Sequence, residues 1–155
     1  MSTTASPEIS IIVPVYNEAP NLRTLVEDTL EVMRATGRLF ELILIDDGST
    51  DDSHELLRTI KGETLELRVI LLRRNFGQSA AMTAGFDHAR GHIVVTMDGD
   101  LQNDPRNIPL LISRLEEGYD LVNGCSCTHR LPLYKIISLA DTALPELSLP
   151  EFKNL

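Results

Sequence analysis

The chain has 155 residues and a mass of 17.2 kDa, room for one domain with its own core and too little for two. Lysine and arginine number 14 against 23 aspartate and glutamate, a net charge of −9 with a pI near 4.8; with no basic cluster, this argues against a surface built to neutralise a phosphodiester backbone, and no nucleic-acid partner is expected. An apolar share of 43% beside 24% charged residues excludes a disordered chain.

Residues 1–8 are small and polar, with no basic residue ahead of an apolar run. They are expected as a flexible N-terminus and not as a signal peptide. No stretch of about 18 residues lacks charges or turn formers, so no transmembrane segment is expected and the cytoplasm is the default location. The two cysteines, Cys125 and Cys127, stand two apart, which suits neither a disulfide between elements nor a zinc site and reads as ordinary thiols.

Ile9 to Val15 is a continuous β-branched run, expected as a strand buried on both faces, with Pro14 at its end where a donor can be spared. Leu22, Leu25, Val26, Leu30 and Met33 then recur at helical spacing, opened by Pro20 and closed by Gly37. Glu41 to Ile45 predicts a second buried strand stopped by Asp46-Asp47-Gly48. Ser49 with Asp52 predicts a capping box for a helix carrying Leu56, Leu57 and Ile60. Leu67 to Leu72 predicts a third strand. Gln78 to Ala89 predicts a helix of small residues able to pack closely on a sheet and ended by Gly91. His92 to Met97 predicts the fourth strand, and Ile108, Leu111, Ile112 and Leu115 a helix opened near Pro105. Strands alternating with helices across short loops predict a doubly wound, mostly parallel α/β sheet whose strand-end loops share one edge, where such sheets bind ligands.

Asp120 to Asn123 starts a fifth strand, after which the rhythm breaks. A short helix is predicted over Leu133 to Ala140, and the last 25 to 30 residues are expected to be loosely ordered. The expected organisation is a flexible 1–8, an α/β domain over 9–124 and a divergent tail over 125–155.

The chemistry-bearing residues fall at strand ends. Tyr16, Asn17 and Glu18 follow the first strand, Asp46 and Asp47 the second, and Asp98, Gly99 and Asp100 the fourth, so carboxylates from three loops converge on one edge. Such convergence is repulsive unless a cation or donor groups are present. A D-x-D on a tight turn offers two hard oxygen ligands to Mg²⁺ or Mn²⁺, leaving other positions for phosphate and water. Alone, it is a weak signal, since acidic turns are common, and Asp46-Asp47-Gly48-Ser49 reads equally as a turn with a helix cap. Neither a G-x-G-x-x-G after the first strand nor a P-loop is present, and no nucleophile motif is visible.

Read jointly, four motifs are far more specific: Val13-Pro14-Val15-Tyr16-Asn17-Glu18, Ile45-Asp46-Asp47-Gly48-Ser49-Thr50-Asp51, Arg74-Asn75-Phe76-Gly77-Gln78 and Met97-Asp98-Gly99-Asp100-Leu101-Gln102. In this order they resemble the family 2 inverting glycosyltransferases of the nucleotide-diphosphosugar (GT-A) fold, most closely the polyprenyl-phosphate branch of dolichol-phosphate mannosyltransferase and bactoprenol glucosyltransferase type. The resemblance covers about residues 9 to 124. It implies that Pro14, Tyr16 and Glu18 cradle base and ribose, and that Ile45 and Asp47 form the second-loop pair, whose carboxylate accepts from the base. It implies that Asp98 and Asp100 are the catalytic metal-and-diphosphate pair, with Met97 and Gly99 lining it and Gln102 assisting. Arg74, Asn75 and Gln78 match the segment between nucleotide and sugar sites; the plain reading is a solvated charge for Arg74 and a turn former for Asn75.

The implied reaction moves a hexose from a nucleotide diphosphosugar, of UDP-glucose or GDP-mannose type, to a polyprenyl phosphate with inversion. Because that acceptor is already an anion, little is asked of a protein base. Positioning and a Mg²⁺ or Mn²⁺ ion would carry catalysis, with peripheral association at the cytoplasmic face of a membrane. The chain departs from the family at Gly124-Cys125-Ser126, where a G-x-R step is expected and serine stands in place of the basic residue. The family domain is also longer, so the reading is the donor-binding half of a truncated transferase. The alternatives are a catalytically inactive nucleotide-sugar-binding partner module, or a fragment with an exposed sheet edge.

Overall fold

The β-branched runs pair as parallel strands. The computed structural model describes residues 6–125 and 132–138. In chain order it contains β1 (Ile9–Val15), α1 (Ala19–Ala35), β2 (Phe40–Asp46), α2 (Ser53–Glu63), β3 (Leu67–Leu71), α3 (Gln78–His88), β4 (Ile93–Met97), a 3-10 turn (Pro105–Asn107), α4 (Ile108–Leu115), β5 (Leu121–Cys125) and β6 (Pro132–Ser138). The sheet order is β3-β2-β1-β4-β6-β5. β1 to β4 run parallel, with Ile12 opposite both Ile43 and Thr96; β6 lies antiparallel between β4 and β5. This is the expected mostly parallel α/β sheet.

Every residue of β1 is buried because both sheet faces are covered. Ile9, Ile11, Val13 and Val15 point into the larger core with Leu42, Leu44, the apolar stripes of α1 and α2, and Ile108 and Ile112 of α4. Ile12, Ile43, Ile45 and Val94 point the other way, onto Ala81, Met82 and Phe86 of α3. Each fully buried Ile or Leu contributes about 1.5–3 kcal/mol. The small residues of α3 give the close approach that their size predicts: a Cβ at Gly85 would press into the Ile12 side chain and lie 3.0 Å from Ile45 Cδ1. Gly85→Ala therefore loses about 1–3 kcal/mol to overpacking against about 1 kcal/mol of regained helix propensity, and a lowered melting temperature is the expected readout.

Several local expectations are corrected. Gly37 does close α1, at φ 70°, its N–H donating to the Arg34 carbonyl at 3.1 Å. Gly91 does not end α3, which stops at His88 with Ala89 extended. Its lack of a side chain serves β1, since a Cβ there would lie 2.6 Å from Ser10 N and 2.7 Å from the Ile9 carbonyl carbon. Ser49 does not cap α2, which begins at Ser53 and whose Asp52 makes no side-chain capping bond; Ser49 Oγ instead accepts from the Asn17 N–H at 2.9 Å. The predicted helix over Leu133 to Ala140 is a strand over Pro132–Ser138. There β4 and β5 both offer it a hydrogen-bonding partner, with Ile136 opposite Val95 and Val122. Apart from this strand and Cys125, the tail expected to be loosely ordered lies outside the described residues, as do Cys127 and residues 1–5 of the expected flexible N-terminus.

Candidate functional site

The chain runs from β1 outward to β2 and β3, then returns to the other side of β1 as β4. Strand order reverses between β1 and β4, and the loops leaving their C-terminal ends diverge to open a crevice there. It is a cleft of about 440 Å³ lined by Pro14, Val15, Tyr16, Glu18, Asp47, Asn75, Gly77, Gln78, Asp98, Gly99 and Asp100. Gly99 lets the β4 loop approach, since a Cβ there would lie 2.7 Å from Val15 Cγ1 and 3.2 Å from the Pro14 carbonyl oxygen.

Nine of the thirteen residues singled out in the sequence line this cleft: Pro14, Tyr16, Glu18, Asp47, Asn75, Gln78, Asp98, Gly99 and Asp100. Four do not. Ile45 and Met97 are buried in the two cores beneath it. Arg74 is exposed, its guanidinium 4.8 Å from the centre of the Phe76 ring. Gln102 is exposed, its backbone N–H donating to Asp100 Oδ1 at 3.0 Å.

The walls are tied by side chains that accept from backbone. Asp47 is 3% exposed; its Oδ1 accepts from the Phe76 N–H at 2.8 Å and its Oδ2 from the Gly77 N–H at 2.9 Å. One buried carboxylate thus fastens the β2–α2 loop to the β3–α3 loop through charge-assisted bonds. Asp46 Oδ1 accepts from the Ser49 N–H at 2.9 Å, turning the same loop inward. Gln78, the first residue of α3, donates from Nε2 to Asp98 Oδ1 at 2.9 Å, linking the third and fourth strand-end loops.

Asp98 is the electrostatically stressed group. Burial first, and the neighbouring Asp100 carboxylate second, push its carboxyl above the ordinary value, against hydrogen bonds from Gln78 and Asn103. Asn103 was not singled out in the sequence, yet it is 2% exposed and supports the Asp98 carboxyl. Its only sequence signal is its place one residue past the acidic motif, and burial of an asparagine is not visible in a string. Leu101, between them, holds φ at 61°, a left-handed backbone costly for leucine. Val15 and Gly77 also line the cleft without having been singled out.

Glu18, Asp47, Asp98 and Asp100 make the cleft acidic, so a bare diphosphate would be repelled and a divalent cation welcomed. Among the described residues no three His, Cys, Asp or Glu side chains gather as a ready metal cage. Two hard oxygen donors, one stressed by its neighbour, nevertheless fit an ion that draws its remaining ligands from phosphate and water. Among the described residues no helix is long and apolar enough to cross a membrane.

Known proteins share this fold. The sheet matches a Staphylococcus aureus TarS fragment (1–349) in complex with UDP-GlcNAc, TM-score 0.65 and 20% identity over 86% of this chain and 46% of that one. It matches a Pyrobaculum calidifontis mannosyltransferase in complex with GDP-Man and Mn²⁺, TM-score 0.64 and 22% identity over 87% and 45%. It also matches the Mycobacterium tuberculosis glucosyl-3-phosphoglycerate synthase in complex with Mn²⁺, UDP and glucosyl-3-phosphoglycerate, TM-score 0.55 and 26% identity over 70% and 39%. The chain thus spans less than half the length of these three. The profile described as glycosyl transferase family 2 matches residues 10–137, taking in all four strand-end loops and running past Gly124 through most of β6, and on that match the chain belongs to glycosyl transferase family 2.

Proposed function

We propose that the cleft binds the nucleoside diphosphate of a nucleotide diphosphosugar, of UDP-glucose or GDP-mannose type, and that the chain is the donor-binding part of an inverting glycosyltransferase. The observation that carries this reading is that one cleft is lined together by Asp98 and Asp100 and by Tyr16, Glu18 and Asp47. Pro14, Tyr16 and Glu18 would cradle base and ribose. Asp47 spends one lone pair of each oxygen on the Phe76 and Gly77 amides and keeps another for a base N–H. Asn75 and Gln78 line the same cleft, with Arg74 next to Asn75 in sequence; Ile45 and Met97 act from below by packing, and Gln102 through its amide on Asp100.

Asp98 and Asp100 would hold Mg²⁺ or Mn²⁺, which when bound neutralises charge developing on a leaving diphosphate. The proposed acceptor is a polyprenyl phosphate at the cytoplasmic face of a membrane, a proposal supported by the motif set alone. A phosphate acceptor is already anionic at neutral pH, so these residues need to orient it and not to deprotonate it. The serine at position 126, where the family pattern carries a basic residue, favours a second reading, a nucleotide-sugar-binding module that works with a partner and does not turn over.

Calorimetry with UDP-glucose and GDP-mannose in Mn²⁺ tests both readings, and absence of binding to either donor at millimolar concentration sinks them together. Turnover on polyprenyl phosphate then separates transferase from module. Asp100→Ala is expected to weaken donor binding in Mn²⁺ at least about tenfold, which is about 1.4 kcal/mol, and to leave metal-free binding unchanged. Wild-type affinity in Mn²⁺ would refute the metal assignment.

A further inference from the structure

Where the loops after β1 and β2 meet stands one side chain that no proposed ligand contact uses. Asn17 stands between Tyr16 and Glu18 in the β1–α1 loop. Its Oδ1 accepts from the Thr50 N–H at 2.8 Å, the Asp51 N–H at 3.3 Å and the Thr50 hydroxyl at 3.3 Å. Its own N–H donates to Ser49 Oγ at 2.9 Å. The same two loops are stitched further along by the Glu18 N–H on Ser53 Oγ at 3.1 Å and the Ala19 N–H on Asp51 Oδ2 at 3.2 Å. Asn17 reaches this geometry from φ 55°, a left-handed conformation that asparagine tolerates better than other residues with a side chain, glycine aside.

We propose that Asn17 is a positioning residue whose carboxamide oxygen, by gathering the Thr50 and Asp51 amides, sets the spacing between the Tyr16 and Glu18 wall and the Asp47 wall, and so the affinity for the nucleoside part of the donor. The proposal rests on the nucleotide-binding reading above for its functional consequence. Its physical content does not: a side-chain acceptor, and not the backbone bend alone, holds the loops together. A loop with amides lacking partners samples more conformations, and ordering them again on binding costs affinity.

Two substitutions separate acceptor from bend. Asn17→Gly keeps the left-handed backbone and loses the oxygen; Asn17→Asp keeps the oxygen and tolerates the same φ. If the carboxamide oxygen is what matters, UDP or GDP affinity in Mn²⁺ falls about tenfold in Asn17→Gly and stays within about threefold of wild type in Asn17→Asp. A residue that only serves the bend gives the opposite ranking, with glycine the better replacement. Wild-type affinity in Asn17→Gly, or equal loss in both variants, overturns the proposal.

Solvent exchange of the Thr50 and Asp51 amides, followed by NMR on the full chain, gives a readout independent of ligand. Faster exchange in Asn17→Gly with wild-type exchange in Asn17→Asp supports the clasp, and unchanged exchange in Asn17→Gly overturns it. Should the wild-type chain bind neither nucleotide, the functional reading fails and the clasp is judged by exchange alone.

Discussion

Gly48→Ala is expected to lower the stability of the chain by about 3 kcal/mol and to abolish nucleotide binding. Two costs add at this position. Gly48 has φ 70°, where a side chain costs about 1–2 kcal/mol. Its missing Cβ would also collide with the backbone of the next loop, inside contact distance of the Arg74 carbonyl carbon and 2.6 Å from Asn75 N. Backbone cannot rotate away as a side-chain tip can, so the two loops must part, at about 1–3 kcal/mol more. Parting them pulls the Phe76 and Gly77 amides off Asp47 and moves Asn75 and Gln78 relative to Asp98. Gly37 supplies the internal control: it shares φ 70°, but its Cβ would meet nothing within 4 Å. Gly37→Ala should therefore show only the conformational cost, about 1 kcal/mol in urea unfolding, with binding intact. Equal destabilisation by the two substitutions would show that the loop contact at Gly48 carries no weight.

The same joint explains how the site is built. Each strand-end loop is fastened to its neighbour by a side chain accepting from the other loop's backbone or side chain: Asn17 from Thr50 and Asp51, Asp47 from Phe76 and Gly77, and Asp98 from Gln78. The chain of contacts runs along the sheet's C-terminal edge from the β1 loop through those after β2 and β3 to the one after β4. Asp47 and Asp98, both proposed to meet the ligand, thus double as ties that set the cleft, a form of preorganisation that lowers the ordering cost of binding. Repulsion is left standing in Asp98 beside Asp100.

What the string of letters displayed was governed by burial and by local geometry. The strands expected over Ile9 to Val15, Glu41 to Ile45 and His92 to Met97 are legible because strands covered on both faces need a nearly unbroken apolar sequence, and the loop positions of the acidic residues follow from the strands. Which face Ile11 and Ile12 occupy, with α1 on one side and α3 on the other, depends on crossovers that no single segment encodes. β6 is not legible locally, because Tyr134 to Ile137 suits a helix as well as a strand and the Val95 that pairs with Ile136 lies about forty residues earlier. Ser49, Asn17 and Asn103 carry the same ambiguity in polar form. A short polar residue in a loop bonds to whatever amide the tertiary fold brings near, and capping was only the local option.

Far from the cleft, Glu41 is expected to be the most costly charge to remove. It is 2% exposed near the start of β2, and it accepts from Ser10 Oγ at 2.7 Å, the Arg90 N–H at 2.8 Å, Arg90 Nη2 at 2.7 Å and Arg68 Nη1 at 2.8 Å. These bonds hold the ends of β1, β2 and β3 to the turn before β4. Glu41→Ala leaves those donors without their acceptor and opens space among them; breaking such a buried pair costs about 3–5 kcal/mol, reduced here to about 3 kcal/mol because the Arg90 side chain is half exposed and turns to water. Burial by itself would raise the Glu41 carboxyl, but hydrogen bonds from Arg90, Ser10 and Arg68 outweigh it and hold the group below its ordinary value of 4.5. A carboxyl depressed in the folded state binds protons more readily when unfolded, so its stabilisation is complete above about 4.5 and is lost as pH falls through the folded value. Urea midpoints taken from pH 7 to pH 3 should fall steeply below about 4.5 in the wild type, and less steeply in Glu41→Gln, which has no proton to take up. Parallel curves for the two proteins would mean that the carboxylate is not what the two arginines hold in place.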